Sequence, residues 1–122
     1  MTAGGHGSAE LRGLLDALRA RTEARIARIS LELDELARAR RSESDDDEHD
    51  PEGVPLSAEW SRLTGRLEAA REDLSDVEEA ERRLAVGEYG VCTACRRPIP
   101  IARLRARPAA RTCVPCGERR AR

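Results

Sequence analysis

Two Cys-x2-Cys pairs constrain this chain more than anything else in it. Cys92 and Cys95 form one pair, Cys113 and Cys116 the other, with 17 residues between them and no other cysteine in the 122 residues. Each pair offers two thiolates from one tight turn, and a short insert lets the second turn close on the first. That is the ligand spacing of a tetrahedral zinc site. Four protein ligands leave no open coordination position, so the sequence calls for one structural Zn2+ and no Lewis-acid chemistry. Structural zinc supplies about 10–16 kcal/mol in small modules, enough to fold a segment with little core. Four thiolates leave the site with a net negative charge, and Arg96, Arg97 and Arg111 are candidates either to screen it or to dock a partner. Disulfides are the rival use of the cysteines. The start, MTAGGHGSAE, has no apolar run, and no stretch approaches the ~20 apolar residues of a membrane span. A cytoplasmic, reducing setting without a membrane is therefore expected, and there metal binding prevails.

The remainder reads as two long helices. Only Trp60 and Tyr89 are aromatic, while charged residues make up 37% of the chain, which excludes a large aromatic core. Residues 1–8 are Gly-rich and expected to be disordered. From Ala9 to about Arg41, Leu11, Leu14, Leu15, Leu18, Ile26, Ile29, Leu33 and Leu36 recur at helical steps on one stripe. The stripe weakens over residues 19–25, where only Ala20, Thr22 and Ala24 can face a partner. Residues 42–55 break the pattern with Ser42, Ser44, Pro51, Gly53 and Pro55. A second helix is expected from Pro55–Ser57, with the seam Trp60, Leu63, Leu67, Ala70, Leu74, Val77, Glu81, Leu84, in which Glu81 is the misfit. Gly87 is its stop.

Two heptad helices with one connection fold back as an antiparallel coiled coil. With the turn near residue 48, the numbers of facing residues add to roughly 97. Leu36 then meets the Trp60–Leu63 level, Ile29 meets Leu67, Leu15 meets the Ala80–Leu84 level, and the weak stretch faces Leu74. The hairpin should be about 45–50 Å long. Its connection of about 14 residues exceeds the ~2–8 usual between bundle helices.

The net charge of −1 hides an asymmetry. Residues 43–52 hold seven acids and no Arg, whereas residues 96–122 hold nine Arg and one acid. An acidic tip on a stiff lever suits insertion into a cavity lined with cations or holding Mg2+. A basic end suits an acidic partner, although the aromatic residues that stack on bases are missing and direct nucleic-acid binding is not expected.

Residues 88–116, EYGVCTACRRPIPIARLRARPAARTCVPC, resemble the DksA/TraR zinc-finger family. The resemblance lies in Tyr89-Gly90 before the first Cys, in Ile99, Arg103 and Leu104, and in Pro108 and Ala110 before the second pair. The upstream hairpin with an acidic tip extends it over most of the chain by pattern. Members bind RNA polymerase and reach into its secondary channel with the coiled coil, so that the acidic tip approaches the active site and initiation changes. Some act together with ppGpp, which makes ppGpp at that complex a candidate partner here. The resemblance places Asp45, Asp46, Asp47, Glu48 and Asp50 at the tip. The family's tip motif is Asp-x-x-Asp-x-Ala: Asp47 and Asp50 fit it, but Glu52 takes the Ala position, and starting instead at Asp50 puts Gly53 at the second Asp. Arg96 stands where Gly commonly follows the CxxC turn, which forces a positive φ on a residue with a Cβ. Gly117 replaces a usual Gln. The chain ends six residues after Cys116, so the C-terminal helix of longer members is expected to be missing.

The sequence therefore predicts a mainly α protein: a disordered start at 1–8, an antiparallel coiled-coil hairpin over 9–87 with its acidic tip at 43–53, and a four-cysteine zinc-finger module with a basic end over 88–122. It predicts a monomeric, non-enzymatic transcription regulator acting on RNA polymerase. The alternative is a zinc-finger adaptor for nucleic acid or protein that binds through its Arg-rich end and uses the hairpin as a spacer.

Overall fold

The structure, a computed structural model, describes residues 5–46 and 53–121, and side chains within 8–42 and 57–120. Four helices follow in order: α1 (Gly5–Asp46), α2 (Gly53–Ala85), α3 (Ile101–Ala106) and α4 (Val114–Ala121). Among the described residues there is no strand, only an isolated antiparallel bridge between Val91 and Pro98. No described helix is long and apolar enough to cross a membrane.

The helices outrun their expected ends. α1 begins at Gly5, inside the segment expected to be disordered, and passes Arg41 through Ser42 and Ser44 to Asp46. Nucleation is the costly step in a helix; extending one through Ser or Asp costs only tenths of a kcal/mol per residue. α2 starts at Gly53, ahead of Pro55 and Ser57. Proline is accepted there because first-turn N–H groups have no intrahelical partner. Residues 42–46 and 53–55, expected in the connection, are thus helical, and residues 47–52 lie outside the described residues. The C-terminal segment is helical after all, as α4.

The chain divides into two compact units, Thr22–Asp73 and Met1–Arg21 with Leu74–Arg122. The first is pure two-helix packing. Ile29, Leu33, Leu63 and Ala70 are buried, with Ile26, Leu36, Trp60 and Leu67 packed around them. These are the seam positions at the expected antiparallel register. Arg25 of α1 pairs with Asp73 of α2, and the Arg40 guanidinium lies 6.0 Å from the Trp60 ring centre. In the weak stretch Thr22 alone turns inward, at 2% exposure, while Ala20 and Ala24 are exposed.

The second unit packs the start of α1 on the end of α2 and carries everything after it. Leu11, Leu15, Val77 and Ala80 are buried with Leu14, Leu18 and Leu84 around them, and the same cluster continues into Tyr89, Cys92, Ile99, Leu104 and Cys116. Glu81, the misfit of the seam, takes no place in that cluster. Its carboxylate accepts Arg19 Nε at 3.1 Å and Nη2 at 2.9 Å, while Ala80 next to it is fully buried. Arg83 is also buried: its Nη2 donates to the Ala110 carbonyl at 3.5 Å and its Nη1 lies 3.5 Å from Glu79.

α2 ends as expected. Gly87 has φ 79°; its N–H donates to the Leu84 carbonyl at 3.3 Å, and Glu88 N–H to the Arg83 carbonyl at 2.8 Å. This is a Schellman stop, in which the left-handed residue is a glycine because it has no Cβ to clash.

Candidate metal centre

The first Cys pair sits on a turn closed by the Val91–Pro98 bridge. Cys92 N–H donates to the Arg97 carbonyl at 2.8 Å, and Arg96 N–H donates back to the Cys92 carbonyl at 2.9 Å. Closing the turn this tightly drives Arg96 to φ 66°, the positive value expected for a residue standing in a glycine's place. Cys95 N–H points at the Cys92 sulfur at 3.5 Å. The second pair is at the start of α4: Cys113 precedes the helix, and Gly117 N–H donates to its carbonyl at 2.9 Å, which turns Cys116 back toward it. Thr93 N–H bonds the Arg111 carbonyl at 2.9 Å and ties the two turns together.

The insert between the pairs is pinned separately. Arg103 Nε donates to the Thr112 carbonyl at 2.8 Å. The Tyr89 hydroxyl donates to the Pro108 carbonyl at 2.8 Å, and burial pushes that phenol up to about 12.

The result is a closed four-sulfur site. The Sγ atoms of Cys92, Cys95, Cys113 and Cys116 all lie within 4.8 Å of one another, and Cys95 and Cys113 are 3.9 Å apart. A tetrahedron with Zn–S bonds of about 2.3 Å has edges of about 3.8 Å. The set therefore matches zinc in number, donor type and spacing, and its role is structural. The Cys95 N–H holds Cys92 down to about 6, whereas Cys116 is pushed up to about 12, first by its hydrogen bond with Cys113 and then by burial. Zinc takes all four as thiolates and releases their protons, so its affinity falls as the pH falls.

Of the three arginines expected to screen the site or dock a partner, none makes a side-chain hydrogen bond to a sulfur among the described residues. Arg96 and Arg97 hold the turn with their backbones and expose their side chains. Arg111 reaches Asp76 at 3.7 Å. Among the described residues the guanidinium that touches a ligand is Arg119, whose Nη2 donates to Cys116 Sγ at 3.1 Å. The signal for it was available: once the tail is helical, a residue three positions beyond Cys116 lies over it. Asp45 and Asp46 close α1 by their backbone, and their side chains are outside the described set. Asp47, Glu48 and Asp50 lie outside the described residues.

A four-cysteine structural zinc finger carried on a long two-helix element is the class of protein these features define. Residues 87–122 match the prokaryotic dksA/traR C4-type zinc finger. The structure of transcription factor DksA2 from Pseudomonas aeruginosa is similar over 97% of this chain and 85% of that one, with 27% sequence identity and a TM-score of 0.80. A comparison with curated proteins finds no match. Residues 87–122 thus resemble the dksA/traR C4-type finger, and the chain as a whole resembles DksA2.

Proposed function

We propose that this protein is a transcription regulator that binds RNA polymerase through the secondary channel and carries its acidic connection toward the active site, where it modulates initiation. The observation that carries this reading is the likeness to a transcription factor over 97% of the chain, helices as well as finger. An adaptor finger on an unrelated spacer would share the finger alone. The arrangement of acids supports it: α1 ends in Asp45 and Asp46, and Asp47, Glu48 and Asp50 follow before α2. No catalysis is assigned to the chain, since four thiolates fill the coordination sphere of its metal.

The test is capture of purified RNA polymerase by the zinc-loaded protein, with and without a known secondary-channel ligand. Displaceable binding is the expected result; absence of binding by fully zinc-loaded protein overturns the reading. Replacing Asp47 and Asp50 together with Asn should abolish the effect on initiation while polymerase binding stays within about threefold, since ion pairs made in contact with solvent add little affinity of their own.

A further inference from the structure

Arg96 is the sole non-glycine residue with a positive φ among the described residues. In that left-handed conformation a Cβ crowds the following carbonyl, a cost that glycine escapes. The turn requires the conformation, because Arg96 N–H and the Arg97 carbonyl both bond Cys92. The backbone thus calls for glycine, and the chain supplies a long cation instead. Nothing inside the finger offsets that choice. The Arg96 side chain is exposed and makes no hydrogen bond or ion pair with any described residue, and the same holds for Arg97 beside it. Arg103 bonds the Thr112 carbonyl, Arg105 Glu10, Arg111 Asp76 and Arg119 Cys116; Arg107 and Arg120 are exposed like Arg96 and Arg97, but of these four Arg96 alone has a positive φ. Backbone strain held at an exposed position with no internal return is a mark of function.

We propose that the Arg96–Arg97 turn is a docking contact for a carboxylate-bearing protein surface, which on the reading above belongs to RNA polymerase. Charge complementarity selects the occupant. A guanidinium fork matches a carboxylate in two parallel hydrogen bonds. A duplex would instead ask for a run of cations along about 6–10 phosphates, and pairing of Arg105 and Arg111 with carboxylates interrupts such a run. The finger's aromatic side chain, Tyr89, is buried, which leaves no stacking platform for single strands.

The proposal separates stability from binding, and two variants read them apart. Arg96→Gly removes the strain and the side chain together; Arg96→Ala removes the side chain and keeps the strain. Both zinc-loaded variants should bind RNA polymerase about three- to tenfold more weakly at low salt, with a shallower salt dependence, as expected for a charge at an interface rim. Arg96→Gly alone should melt above the wild type, by up to a few degrees. Unchanged affinity and salt dependence in both variants would overturn the docking contact while wild-type binding kept the channel reading intact. An Arg96→Gly protein less stable than Arg96→Ala would overturn the strain argument. Arg96-dependent binding to duplex DNA without polymerase would overturn the choice of a protein partner. Failure of the wild type itself to bind polymerase would remove both readings together.

Discussion

The same two helices build both units, yet the units are held by different means. Thr22–Asp73 rests on a seam of aliphatic side chains from α1 and α2, with Trp60 at its edge. In the other unit the helical seam merges with a segment that has almost no apolar mass of its own: Tyr89, Ile99 and Leu104 are its buried hydrophobes besides cysteine. The first is a coiled coil in the ordinary sense, stabilised by burial spread over many positions. The second adds a four-cysteine metal site to its buried cluster. The difference teaches that a chain this poor in aromatics can still fold a compact module, provided a metal replaces the missing core.

Removing zinc should break the comparison most completely. Chelation withdraws about 10–16 kcal/mol of apparent folding energy from the finger, so residues 88–121 should lose protection from amide exchange while helical protection persists within Thr22–Asp73. If both units lose protection together, stability is not partitioned as described. Lowering the pH should bring the same loss, because each thiolate gives up the metal on protonation.

A core truncation in the unit without metal comes next. Leu63 is 1% exposed, and Leu63→Ala should cost about 2–4 kcal/mol by denaturant titration while one zinc per chain is retained. A variant that also lost its zinc would show that the coiled coil supports the finger more than its composition implies.

Tyr89→Phe is smaller, about 1 kcal/mol, since it leaves the Pro108 carbonyl without its donor. Its sign with pH is fixed by the raised phenol. The fold favours the neutral form, so the contribution is complete below about pH 10 and is lost as the pH rises toward about 12. The Phe variant should lack that component of the alkaline loss in a stability–pH curve.

The ion pairs should matter least. Glu81 is held below the usual carboxylate range, chiefly by its hydrogen bond from Arg19. That contribution is present above the unfolded value near 4.5 and lost as the pH falls through the lowered one. Both side chains are about one-third exposed, so Glu81→Gln should cost under about 1 kcal/mol. Asp73→Asn, which removes the more exposed Arg25 pair, should cost less again, and double-mutant cycles on the two pairs would rank them.

Much of this was legible in the residues. The cysteine spacing implied the metal site, the seam implied which leucines are buried, Gly87 implied the end of α2, and the glycine missing after Cys95 implied the strained Arg96. What escaped was decided by contacts between segments distant in sequence. Glu81 read as a flaw in a heptad because the seam of α2 alone does not show Arg19 waiting on α1. Arg111 read as a neighbour of the sulfurs because sequence proximity to Cys113 does not reveal that its side chain turns to Asp76. Arg119 was passed over because the tail was not expected to be helical. The helix ends were misjudged because Ser, Gly and Pro signal turns only where extending a formed helix costs more than stopping it.

The two units also differ in how they are drawn from the chain. Thr22–Asp73 is one continuous stretch, whereas the other unit joins the first 21 residues to everything from Leu74 onward. During synthesis the continuous unit has all its parts once Asp73 has emerged. The discontinuous one must wait for Cys116, nearly the whole chain, and then close a far longer loop. The ribosome therefore delivers the hairpin's middle before the zinc ligands, and the four thiols are the last part of the molecule to find their partners.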